Sequence, residues 1–291
     1  MEIERTLSPC AGVRIHYRIW NPPASSAPAP TLVLLHGVAS NLTRWTEFLN
    51  NTTLKETCRI IRLDLRGHAR SQTLKGVNLR NWCKDVIAIL DAETIDRAYI
   101  VGHSLGAQIA LNLAYRSPQR LSGMVLIDPV VPGALRGYLA IGPRIRWLFI
   151  VAAEVLAIAH RLGLGPRTYP IRDLFELDRR TREQITADAS RNLADLYHAP
   201  GRDIVYIPIA NYVRDMLTVA KPLPPLEELF TPALTLLAQN PSISDAAANR
   251  RAMQRLPNNE IVTIHADHWP LTERPDETRE AIERWCKRQF D

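Results

Sequence analysis

The sequence predicts an α/β protein: a mostly parallel, twisted sheet covered by helices on both faces. Two observations carry this expectation. Short apolar runs rich in β-branched residues alternate with helix-length segments along most of the 291 residues. Near-continuous apolar strands separated by helices mark a sheet buried on both sides. The one break in the rhythm is residues 132–230, which hold helical and Pro-rich segments and no core strand pattern. That interval reads as a helical cap inserted before the penultimate strand, with the core formed by 1–131 and 231–291.

Taken in order, "VRIHYRIW" (13–20) and "TLVLLH" (31–36) open the sheet and are expected to pair as an antiparallel edge. The stretch between them, "NPPASSAPAP" (21–30), reads as a surface loop. "CRIIRLD" (58–64) is the next strand, followed by a helix over 79–94, "AYIVGH" (98–103), a helix over 105–117 and "GMVLID" (123–128). Beyond the cap come "ALTLLA" (233–238) and the turn residues Asn240, Pro241 and Ser242. Asp245, before Ala246, Ala247 and Ala248, has the position of a helix N-cap. "EIVTIH" (260–265) and a helix over 274–290 complete the chain.

Composition excludes several classes. Hydrophobic residues make up 46% and charged residues 23%, ordinary for a globular protein. The net charge is +6, and all but five of the 36 basic residues are Arg. They are scattered, often beside acids as in "ELDRRTRE" (176–183), rather than clustered with aromatics as in a nucleic-acid binder. A weak preference for anionic membranes or acidic ligands stays open. Four cysteines at 10, 58, 83 and 286 show no CxxC and no metal-ligand spacing. With no basic-then-apolar leader at the start, they imply a reducing, cytoplasmic setting. The most apolar run, "WLFIVAAEVLAIAH" (147–160), is interrupted by Glu154 and is shorter than the roughly 20 residues of a bilayer span. Bounded by Arg144, Arg146 and Arg161, it reads as cap core, as the wall of a hydrophobic pocket, or as an interfacial lid with weak membrane-surface contact.

The chemistry concentrates at "VGHSLGAQIA" (101–110). Gly102-His103-Ser104-Leu105-Gly106 is a G-x-S-x-G nucleophile elbow between an apolar strand and an Ala- and Leu-rich helix. The turn must be sharp enough to hold the Ser104 hydroxyl clear of the sheet, and glycines at 102 and 106 leave room for it. A serine hydroxyl needs a base. Of eight histidines, His268 lies in the loop after the last strand, on the same sheet edge as Ser104. His265 ends that strand, His103 packs the elbow, and His36 fixes its loop by hydrogen bonding.

With HG at 36–37, D-x-R-G-H at 64–68, GHSLG at 102–106 and D-H-W-P-x-x-E-R-P at 267–275, the chain resembles the α/β-hydrolase family over nearly its whole length. It is most similar to small, cap-bearing serine esterases and C–C-bond hydrolases. Members with an aspartate nucleophile, the haloalkane dehalogenases and epoxide hydrolases, are set aside because Ser104 occupies the elbow. The resemblance implies an oxyanion hole from the backbone amides of Val38 and Leu105. It also exposes a departure: the family commonly has G-x-x-D after the penultimate strand, and here Ala238 and Pro241 stand at those positions. Asp128, at the end of the strand before the cap, is the first replacement, since some members carry their acid there. Asp245 is the second, and a Ser104–His268 dyad without an acid is the third. The implied function is cleavage of an ester, thioester or lactone of a small hydrophobic substrate through an acyl-enzyme, with no cofactor and no metal. C–C-bond cleavage or cofactor-free oxygenation on the same scaffold is one alternative, and a non-catalytic ligand receptor is the other.

Overall fold

The computed structural model describes residues 2–23, 29–135, 138–187 and 200–290, with side chains described outside 136–146 and 185–200. The side chains of Arg144 and Arg146 therefore lie outside the described residues. Eight strands form one sheet: β1 (Ile3–Cys10), β2 (Val13–Trp20), β3 (Thr31–Leu35), β4 (Arg59–Leu63), β5 (Ala98–His103), β6 (Leu121–Ile127), β7 (Ala233–Ala238) and β8 (Asn259–Ile264). Their spatial order is β1-β2-β4-β3-β5-β6-β7-β8. Every pairing from β4 to β8 is parallel, so the C-terminal ends of β3, β5, β6, β7 and β8 share one edge.

The antiparallel edge differs from the expectation. β2 does not pair with β3; it lies antiparallel to β4, with Ile19 opposite Ile61, and antiparallel to β1 on its other side. β3 is buried along its whole length and takes an interior place between β4 and β5, where both of its edges are bonded. The outer strand β1 is mostly exposed, so it carries no apolar period by which sequence could mark it. Its position comes from pairing with β2.

Helices cover both faces. On one side α2 (Leu79–Ala92), α3 (Leu105–Arg116) and α8 (Ala246–Met253) bury Trp82, Val86, Ile109 and Met253 against the sheet. On the other, α1 (Thr46–Asn51) and the last helix α10 (Pro275–Phe290) bury Phe48 and Trp285, beside Trp45 in the turn that leads into α1. Burial of such large aromatics dominates core energetics, each removing on the order of 150–250 Å² from water.

Between β6 and β7 the described chain forms α4 (Tyr138–Arg161), α5 (Leu174–Ala187), α6 (Pro200–Asp203) and α7 (Ile209–Val219). α7 is tied to the body of the protein. Gln108 Nε2 donates to Val219 O, and Asn211 Nδ2 donates to Gly67 O and Thr73 O. Nε2 of His68 lies 2.8 Å from Oδ2 of Asp215, both buried. Burial works against a charge on His68, but the Asp215 carboxylate outweighs it and raises the imidazole pKa. α4 packs on α7 through a narrow stripe in which Ala153 and Ala157 are buried. Most of its remaining apolar side chains from Trp147 to Ile158 are exposed, which corrects the cap-core reading of this run. Among the described residues, no helix is long and apolar enough to cross a membrane.

Candidate active site

The turn from β5 into α3 places Ser104 at φ 52°, ψ −110°, a region a non-glycine residue occupies only under constraint. The constraint is visible at both flanking glycines. A Cβ on Gly102 would meet the Gly106 carbonyl at 2.3 Å, and one on Gly106 would meet Leu35 O at 2.3 Å. The Ser104 amide donates to Ile127 O at 3.0 Å, locking the elbow onto β6. Ser104 is only 5% exposed, and residues of α6 and α7, Asp203, Tyr212, Met216 and Val219, share its cavity with the loops of the sheet edge.

His268 sits in the loop between β8 and the short helix α9 (Pro270–Glu273). Its Nε2 is 3.0 Å from Ser104 Oγ, and its Nδ1 is 2.6 Å from Asp128 Oδ2. The carboxylate accepts from Nδ1–H, which leaves Nε2 free to accept from the serine hydroxyl. Asp128 follows β6 at φ 38°, and its amide donates to Leu236 O. The amide of Ala238, at the end of β7, donates to Asp128 Oδ1 at 3.0 Å. Asp245 is elsewhere: it caps α8, its Oδ1 accepting from the Ala248 amide at 2.8 Å.

Other groups hold this chain in place. Glu273 accepts from the amides of Asp267 and Trp269, clamping the loop on either side of His268. Burial pushes its carboxyl up to about 7. The motif around His268 contains Glu273, but nothing in the spacing announces that it folds back onto its own loop. His103 Nε2 lies 2.9 Å from His268 O and donates to it; burial pushes the His103 pKa down to about 3, so the ring stays neutral. His36 Nε2 accepts from the Leu65 amide, and its Nδ1 donates to Gly37 O. That ties the loop after β3 to the loop after β4.

Gly37 is close enough to the elbow that a Cβ there would lie 3.4 Å from Ser104 Cβ. Val38 follows it and shares the cavity wall with Ser104. Leu105 is the first residue of α3, and its amide has no acceptor within the helix. The cavity over Ser104 measures about 90 Å³, room for several waters. Val130, Leu135, Met216, Val219 and Ile243 make its apolar side. Arg44 and Asp203 supply charge. Arg44 donates to Asp178 and Thr272. Burial pushes Asp203 up to about 6, against the pull of Arg172 at 3.3 Å. Among the described residues, no group of three or more His, Cys, Asp or Glu could hold a metal ion. A hydroxyl, an imidazole and a carboxylate joined in this order can move a proton off the hydroxyl as it attacks a carbonyl.

A model of the alpha/beta hydrolase family matches residues 32–281. The chain belongs to the alpha/beta hydrolase family. Within that family it is similar to the dihydrolipoyllysine-residue acetyltransferase component of the acetoin cleaving system of Cupriavidus necator, 32% identical over 41% of this chain and 30% of that one. It is also similar to epoxide hydrolase B of Mycobacterium tuberculosis, 32% identical over 48% of this chain and 38% of the relative. The matched stretches therefore span about a third of these curated relatives. Among solved structures, the enol-lactonase of Burkholderia xenovorans superposes with a TM-score of 0.70 at 22% identity, over 96% of this chain and 99% of that one. At that identity the likeness speaks for the fold.

Proposed function

We propose that this family member is a serine hydrolase that cleaves an ester, thioester or lactone of a small, fairly apolar molecule through an acyl-enzyme. Residues 1–131 and 231–291 act as the catalytic core and 132–230 as a cap. The observation that carries the reading is the unbroken chain from Ser104 Oγ to His268 at 3.0 Å and on to Asp128 at 2.6 Å.

In this scheme Ser104 Oγ attacks the carbonyl carbon while its proton passes to His268 Nε2. Asp128 keeps the imidazole in the tautomer that can accept that proton, and stabilises it when charged. The amides of Val38 and Leu105 hold the oxyanion. His268 then gives its proton to the departing alcohol or thiol. A water attacks the acyl-enzyme, returning a proton through His268 to Ser104 and releasing the acid. No cofactor enters the scheme. The serine at the elbow argues against the epoxide chemistry named for one relative, while a lactonase with the same fold agrees with an ester-type bond. All four cysteines are free thiols, which supports a reducing, cytoplasmic setting.

A fluorophosphonate probe tests the proposal. Stoichiometric labelling at Ser104 is expected, and absence of labelling in folded protein would favour a receptor. With a cavity of about 90 Å³, p-nitrophenyl acetate and butyrate should turn over faster than long-chain esters. Equal or better turnover of the long chains would mean that the cap opens.

A further inference from the structure

The outer surface of α4 belongs to no part of the hydrolase scheme. Its most exposed apolar side chains are Trp147 at 64%, Val151 at 55%, Val155 at 59% and Ile158 at 53%, continued by Leu162 at 75% just past the helix. At 100° per residue these five positions fall within an arc of about 80°. The buried Ala153 and Ala157 lie on the opposite side. The acid in this stretch, Glu154, borders the stripe and is paired with Arg214 of α7 at 2.7 Å, which offsets its charge.

A second feature adjoins the first. Where α4 ends, a cleft of about 550 Å³ is lined by Thr73, Leu74, Lys75, His160, Arg161 and Arg167. Among the described residues, Lys75, Arg161 and Arg167 have no carboxylate partner. An apolar stripe beside an unneutralised cationic cleft combines the two terms that bind a helix to a membrane surface: burial among acyl chains and attraction to anionic headgroups.

We propose that the outer face of α4 and the basic cleft at its C-terminal end dock this protein on an anionic phospholipid bilayer, the stripe entering the acyl boundary and the cleft receiving phosphate headgroups. A second copy of the chain fits less well. It brings the same net charge of +6 and the same cationic cleft, whereas an anionic bilayer meets Lys75, Arg161 and Arg167 with the opposite sign. The docked helix α4 packs on α7, which lines the catalytic cavity with Tyr212, Met216 and Val219.

The test measures binding, not turnover, so it stands whether or not the hydrolase reading does. The full chain is sedimented with vesicles of phosphatidylcholine alone and with vesicles containing one quarter phosphatidylglycerol, and its mass in solution is read by light scattering. Binding to the anionic vesicles, weakened by salt, is expected. Arg161→Glu with Arg167→Glu should lower that affinity on the order of tenfold or more. Val151→Glu with Val155→Glu should abolish it. Both pairs lie on exposed positions and should keep the melting temperature of the wild type. No binding to anionic vesicles would overturn the proposal, as would binding that neither pair weakens. A dimer that Val151→Glu with Val155→Glu dissolves, with no vesicle binding, would assign the surface to a second copy instead.

Discussion

β6 and β7 are neighbouring parallel strands that end on the same edge of the sheet, yet they finish differently. β6 runs into Asp128, whose carboxylate meets His268; β7 runs into Ala238, whose side chain can offer nothing to an imidazole. The difference is complementary. The Ala238 amide donates to Asp128 Oδ1, so the strand without the acid supplies the hydrogen bond that orients its neighbour's acid. The next acid along the chain from β7, Asp245, spends its Oδ1 on the Ala248 amide, and Asp245's own amide donates to Ala134 O. Two aspartates near one edge thus have separate uses, set by which backbone amides each one meets.

The strongest way to break this comparison is to remove what Asp128 orients. His268→Ala and Ser104→Ala should each lower ester hydrolysis on the order of 10⁶-fold, because nucleophile and base act as a unit. Steady-state assays with p-nitrophenyl acetate would show it, and retention of most activity by either variant would end the serine-hydrolase reading. Asp128→Asn should cost on the order of 10⁴-fold. Here the Ala238 amide would hold the amide oxygen, turning the new NH₂ towards His268 Nδ1. That forces the proton onto Nε2, where it faces the serine and blocks its deprotonation.

On the β7 side the expected effects are small. Asp245→Ala removes a cap and should cost about 1 kcal/mol of stability by denaturant titration, with activity per folded molecule kept. Asp245→Asn should be close to silent in both, since Asn caps about as well. If Asp245→Asn lost activity and Asp128→Asn did not, the two strand ends would have to exchange roles.

A separate effect, on the pH dependence of stability, concerns the clamp on the His268 loop. The Glu273 carboxyl titrates near 7 in the folded protein against an ordinary 4.5, so between those values the folded state retains a proton that the unfolded chain has lost. Its contribution to stability is therefore fully present below pH 4.5, falls as pH rises towards 7, and is level above that. Glu273→Gln should flatten this part of the curve of melting temperature against pH. Parallel curves for the two proteins would remove Glu273 from the account.

Much of this was legible in the sequence, for reasons that differ by element. The elbow announces itself because two close backbone approaches demand glycine at 102 and 106. β3 and β5 to β7 announce themselves because burial on both faces makes their residues uniformly apolar. Asp128 and Asp245 were both visible as carboxylates at the right edge. The sequence places Asp128 ahead of Asp245, but spacing does not say which amides each will meet. β1 was invisible because its exposed face carries no period, and the pairing of β2 with β4 depends on which strands seek interior places. The outward stripe of α4 was hidden by the helix being apolar nearly all round. Such a helix reads as core until its neighbours are known.

The pairing of β6 with β7 has one further consequence. Met124 lies beside Ala233, so the chain closes a loop of about a hundred residues between adjacent strands, where an ordinary crossover needs a dozen or more. In polymer terms each doubling of such a loop adds only about 0.6 kcal/mol of closure entropy. Three doublings, from a dozen to a hundred, cost about 2 kcal/mol. Lengthening the segment between 132 and 230 at a point away from its ties to the core, such as His68–Asp215 and Arg44–Asp178, thus costs the sheet little closure entropy. What covers Ser104 can diverge while the strands that aim Ser104, Asp128 and His268 stay as they are.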